Sequence, residues 1–109
     1  MASGRLGALN GSTTTTLTEI YQVPASTVAT VSICLCNRTA GALAIRIAHI
    51  DADVVGSVAD EDYIEYDVVI PANGTLERTG IVIAAGHILA IYSSAVGISS
   101  QVYGWEESV

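Results

Sequence analysis

The side chains with the widest chemical reach in this sequence are two cysteines, two histidines and eleven carboxylates, and their spacing decides what they could do. Cys34 and Cys36 stand two apart in a stretch that alternates as a strand, with Val31, Ile33 and Leu35 on one face and Ser32, Cys34 and Cys36 on the other. Side chains so placed stand parallel and roughly 6 to 7 Å apart, too far for a mutual disulfide. Reduced thiols follow, which fits intracellular synthesis. A thiolate metal centre would need further ligands, and His49 and His87 are isolated in the sequence, so the cysteines read as small packing residues. The acidic run Asp51 to Asp62 calls for a calcium test. Counted from Asp51, carboxylates fall at the first, third and twelfth positions and Gly56 at the sixth, as in an EF-hand loop. The fit fails at Val55, which brings no side-chain oxygen to the fifth position, and at Asp62, which is shorter than the bidentate Glu the twelfth requires. A solvated acidic connection is the expected reading, and no metal ligand is assigned. Glu65 and Asp67, paired on one strand face, could in principle divide acid and base roles, but two acids on an exposed face serve solubility first. No nucleophile elbow, phosphate-cradling glycine loop or His-Glu-x-x-His is present. Neither a catalytic residue nor a cofactor site is expected.

The elements that would position these residues are strands. Tyr63 to Tyr92 reads as three of them, joined by Asn73-Gly74 and by Ala85-Gly86, pairs suited to tight hairpin turns. In the first, Ile64, Tyr66, Val68 and Ile70 share one face and Glu65 and Asp67 the other. The third, Ile88 to Tyr92, is apolar on both faces, so it must be covered twice, by its own domain or by a neighbouring subunit. Ile88, Ala90 and Tyr92 are therefore candidate subunit-interface residues. Further strands are expected at Leu17 to Val23, Val28 to Asn37, Ala42 to Ile50 and Ile98 to Trp105. With no helical pattern anywhere, about seven to eight strands predict an all-β antiparallel β-sandwich, jelly-roll or Ig-like, over residues 17–109.

Residues 1–16, rich in Gly and Thr, read as a flexible N-terminal arm outside the core, with Arg5, Leu6 and Leu9 as its anchors for a partner. One domain is all that 109 residues allow. The chain has no Lys or Phe, four Arg, a formal charge of −7 and 14% charged residues, against about 25% in typical domains. A folded monomer of this size exposes on the order of 5,700 Å². So little charge over so much surface points to burial in a homo-oligomer. The acidic balance excludes nucleic acid as a partner, and no apolar run suits an export signal or a membrane span.

Three stretches carry a likeness: Gly4-Arg-Leu-Gly7 with the Thr-rich arm; Val28 to Asn37 with its Cys-Asn-Arg ending; and Asp62 to Asp67 with Leu76 to Gly80 and Val102 to Glu106. Together they resemble small structural proteins of tailed-bacteriophage virions. The resemblance implies a decoration or cement protein on the outside of an icosahedral head, bound in several copies, as trimers, to the major capsid protein. It places the protein in the virion, assembled in the host cytoplasm. Related sandwiches also build tail and fibre parts, so a host-surface glycan is the alternative partner. No chemical site is carried over by it.

Overall fold

A computed structural model describes residues 2–10 and 16–109. Eight strands follow one another: β1 (Ser3–Leu9), β2 (Thr18–Gln22), β3 (Thr27–Asn37), β4 (Leu43–Ile50), β5 (Tyr63–Ile70), β6 (Thr75–Ile83), β7 (Ile88–Ser93) and β8 (Ile98–Ser108). They form two antiparallel four-stranded sheets, ordered β1-β8-β3-β6 (sheet A) and β2-β7-β4-β5 (sheet B). The main core draws on both, with Val31, Ile33 and Leu35 of β3 gathered with Ile45 and Ile47 of β4 and Leu89 and Ile91 of β7. The alternation that marks β3 in the sequence is kept along its whole length, buried and half-buried residues succeeding one another from Thr27 to Asn37.

The central stretch differs from the expected pair of hairpins. β5 pairs with β4, β6 with β3 and β7 with β4 and β2, so both glycine turns carry the chain from one sheet to the other. At the first crossing Asn73 does adopt a positive φ of 58°, as Asn-Gly foretells. Local turn chemistry fixes a reversal but not which strand the chain pairs with next. Buried Asn37 ties this crossing down: its Nδ2 donates to the carbonyls of Gly41, Ile70 and Pro71 at 2.9, 3.0 and 3.2 Å, and its Oδ1 accepts from Thr39 N at 3.0 Å.

Two bulges reset which face a residue occupies. Between Ile45 and Ile47 of β4, strand β5 places Tyr66 and Asp67 opposite a single residue, with Asp67 in the left-handed region at φ 54°. Glu65, opposite core residue Ile47, therefore turns inward, while Asp67 faces out; the expectation that they share a face is corrected here. Gly80, at φ 71°, sits in the corresponding irregularity of β6, which sets Arg78 opposite core residue Ile33. Arg78 Nη1 and Glu65 Oε2 meet at 3.2 Å, an ion pair between the two edge strands. Inward-pointing charges on an edge also discourage another chain from pairing there.

Residues 3–9 correct the expectation of an arm outside the core. β1 pairs with β8 from Ser3 opposite Trp105 to Leu9 opposite Ser100, and Leu6 and Leu9 pack against the main core. Glycine here serves close approach rather than looseness, since a Cβ on Gly7 would lie 2.3 Å from the Ile20 carbonyl oxygen.

Candidate interaction surface

The two sheets differ in what lies on their outer faces. On sheet B the connection 51–62, which contains two 3₁₀ turns, folds back over the end of the sheet. Ala52, Val55 and Val58 pack with Leu17 and Tyr63 against Ala48, Ile50, Ile88 and Ala90. This is the second cover that the two-sided strand β7 requires, and it comes from the same chain. Ile88 and Ala90 are fully buried, so the expectation that they form a subunit interface is corrected. Burying an Ile side chain contributes about 1.5–3 kcal/mol, and this cover lies over both Ile50 and Ile88. Further along the same face, where Tyr66 and Val69 stay exposed, Arg46 lies over two tyrosine rings. Its guanidinium lies 4.1 Å from the Tyr66 ring centre and 4.5 Å from that of Tyr92, and its Nε donates to Asp67 Oδ1 at 2.7 Å. The hydrogen bond to Arg46 is the main reason the Asp67 carboxyl is held below the usual range. Tyr92, the third expected interface residue, is half-buried beside Arg46.

Sheet A has no such roof among the described residues. Its outward residues are read from the ladder: Trp105 opposite Thr30, which is in turn opposite Val82; then Tyr103 opposite Ser32; then Gln101 opposite Cys34. Trp105 is 50% exposed, Val82 60% and Tyr103 44%. Uncharged Thr30, Ser32, Cys34 and Cys36 run down the middle strand, and charge stays at the margins. Arg5 lies opposite Tyr103 on β1, Glu77 opposite Cys34 on β6, and Glu107 accepts a hydrogen bond from Trp105 Nε1 at 3.0 Å. Of the three residues proposed as arm anchors, Arg5 alone is exposed and on this face. Between β1 and β8 is a hollow of about 460 Å³ lined in part by Arg5, Leu9, Asn10 and Gln101.

Both cysteines are free and half-buried on this face. Burial first, then the nearby Glu77 carboxylate and Cys36, push the Cys34 thiol up, which keeps it protonated and unreactive. The histidines that stand apart in the sequence are brought together: His49 Nε2 lies 3.1 Å from His87 Nδ1, and His87 Nε2 lies 2.7 Å from Asp51 Oδ1. Within the acidic connection, Asp62 Oδ2 accepts from Ala59 N at 2.9 Å. Among the described residues no three His, Cys, Asp or Glu side chains gather as a metal site. Sequence reasoning missed the exposed Trp105–Thr30–Val82 row because its residues are far apart in the chain and only strand pairing aligns them.

Comparison with family models, with curated proteins and with solved structures finds no match for this chain.

Proposed function

We propose that this protein is a structural component of a tailed-phage virion, a decoration or cement protein that docks the outer face of sheet A on the head surface and acts without catalysis. The observation that carries the reading is the exposed row of Trp105, Tyr103 and Val82 around an uncharged centre on sheet A, whereas sheet B is roofed by its own chain over Ala48, Ile50, Ile88 and Ala90 and leaves Tyr66 and Val69 exposed beside the charged Arg46–Asp67 pair. Aromatic residues framed by a polar margin are the usual composition of a contact surface. The strand order β1-β8-β3-β6 against β2-β7-β4-β5, with the crossings between sheets, supports a jelly roll, an architecture used by viral capsid and lectin domains. Architecture alone does not assign function, so the face and the sequence resemblance bear the weight.

The footprint bears on copy number. Four strands about 4.8 Å apart and some nine residues long at about 3.3 Å each give a face of roughly 570 Å², below the roughly 800 Å² per partner of a standard stable interface. Trimers on the capsid lattice would offset this, since linked sites bind far more tightly than single ones. A tail or fibre protein holding a host glycan is less well supported, because Trp105 and Tyr103 lie on a flat strand face and not in loops.

The test is co-sedimentation with undecorated heads. Val82→Glu and Trp105→Glu are expected to abolish decoration while the isolated protein still melts cooperatively. Heads decorated as fully by both folded variants as by the natural sequence would overturn the assignment of this face.

A further inference from the structure

We propose that His49 and His87 form a proton-operated latch at one end of the sandwich, closed while the pair shares one proton and opened when a second arrives. The two residues come from different elements of the fold. His49 stands on β4 opposite Leu89, whereas His87 closes the turn that brings the chain from β6 in sheet A to β7 in sheet B. That turn is held to the end of β2 by two backbone bonds, Gly86 N to Val23 O at 2.9 Å and Val23 N to His87 O at 3.0 Å. His87 also reaches Asp51, the first residue of the acidic connection. A single hydrogen bond between imidazoles thus joins β4, the crossing turn and, through Asp51, the start of the connection.

Only one proton fits in the gap. At 3.1 Å, His49 Nε2 and His87 Nδ1 make a hydrogen bond if one carries the hydrogen and the other the lone pair. Ring centres 5.3 Å apart, with the nitrogens 3.1 Å apart, set the rings nearly end to end. That is the line of a hydrogen bond and not the convergent angle of two ligands on one ion. With both imidazoles doubly protonated, two N–H groups and two positive charges face each other across the gap, and the bond must break. The groups that act on His49 are burial and His87, which disfavour its charge, and Asp62 and Asp51, which favour it. Burial outweighs the carboxylates and holds His49 below its ordinary 6.5. The native state therefore binds fewer protons than the unfolded chain as pH falls below 6.5, and the latch loses stability in that window. Asp51, the residue after the end of β4, stays with His87, so opening frees the His49 ring and loosens the turn where it is held to β2.

Imidazole nitrogen resonances and amide exchange, followed by NMR on the full-length protein from pH 8 to pH 5, test this. His49 is expected to take up its proton below pH 6.5. The amides of Gly86 and Val23, corrected for intrinsic pH dependence, are expected to exchange up to about tenfold faster per pH unit as pH falls from 6.5 to that titration and then to level off, while the Ile33 amide in the core stays constant. His49→Leu should remove the acid dependence at Gly86 and Val23. Should that variant fail to fold, the natural sequence still decides. Independent titration of both rings near 6.5 with exchange at Gly86 and Val23 insensitive to acid would overturn the latch. So would micromolar zinc chloride shifting both rings together, because the pair would then be a chelating site.

Discussion

Replacing Asn37 with Ala should be among the most damaging single changes in this protein, although Asn37 lies in no site. Its side chain is wholly buried at the end of β3, where two amide hydrogens serve three carbonyls, those of Gly41, Ile70 and Pro71. The longest of these bonds, 3.2 Å to Pro71, is the shared one. Its oxygen accepts from both the amide and the hydroxyl of Thr39, at 3.0 and 2.7 Å. One residue thus fastens the β3–β4 crossing to the β5–β6 crossing. Each such bond contributes about 1 kcal/mol net, and a buried carbonyl left unpaired costs about 1–3 kcal/mol more. Allowing for non-additivity, Asn37→Ala should lose about 3–5 kcal/mol. For a domain of this size that is a fall in Tm of about 15–30 °C. Asn37→Asp is the sharper variant, since it keeps the shape and the two acceptor bonds but sets a carboxylate against three carbonyl oxygens. At pH 7 it should be destabilised at least as much as the Ala variant, with partial recovery in acid as the carboxyl gains a hydrogen. Urea and thermal melts followed by circular dichroism measure both. An Asp variant within about 1 kcal/mol of the natural sequence at pH 7 would refute the view that the amide donors hold this junction.

Gly104→Ala should lower the urea midpoint, at a cost of about 2–3 kcal/mol for overpacking, because the new Cβ would meet the Thr30 carbonyl oxygen at 2.0 Å and Val31 Cα at 2.8 Å. An unchanged midpoint would mean that β8 can shift on β3 freely. Tyr21, whose hydroxyl donates to Glu106, is raised well above the ordinary 10.0, by burial first and then by that bond. The native state then holds a proton that the unfolded chain releases, so stability falls as pH rises past 10. Tyr21→Phe should flatten the slope seen in urea melts between pH 9 and 11, and an equal slope in the variant would count against the assignment.

Most strands were legible because their alternation is local: β5 begins at the expected Tyr63, and β3 and β4 differ from expectation by one residue at one end. Three features escaped, each for a physical reason. Gly4 and Gly7 make residues 3–9 look slack, yet a strand that must pass within contact of the Ile20 backbone has no room for a side chain at position 7. Asp67 reads as one more step of a period of two, and only its left-handed backbone reverses the faces of its neighbours. Asn73-Gly74 and Ala85-Gly86 specify tight reversals equally well whether the next strand joins the same sheet or the opposite one. The surface followed the same rule: Tyr103 and Trp105 can be picked out from the sequence, but their alignment with Val82 and Arg5 is a product of pairing. So is the meeting of His49 with His87, 38 positions apart.

The pairing of β1 with β8 has a consequence for how the chain comes into being. β8 leaves the ribosome after the other seven strands, and it fills the place between β1 and β3. Until it arrives, β1 has no ladder partner in sheet A and β3 presents one bare edge. Long-range pairing of this kind closes loops spanning most of the chain before any contact repays them, which makes folding slow. Nascent copies therefore carry two open strand edges at once, the state in which like chains pair wrongly. A protein made in many copies would pass through that interval many times over. The inward charges of Arg78 and Glu65 guard the opposite edges, β6 and β5, and leave this gap to be closed only by the arrival of residues 98–108.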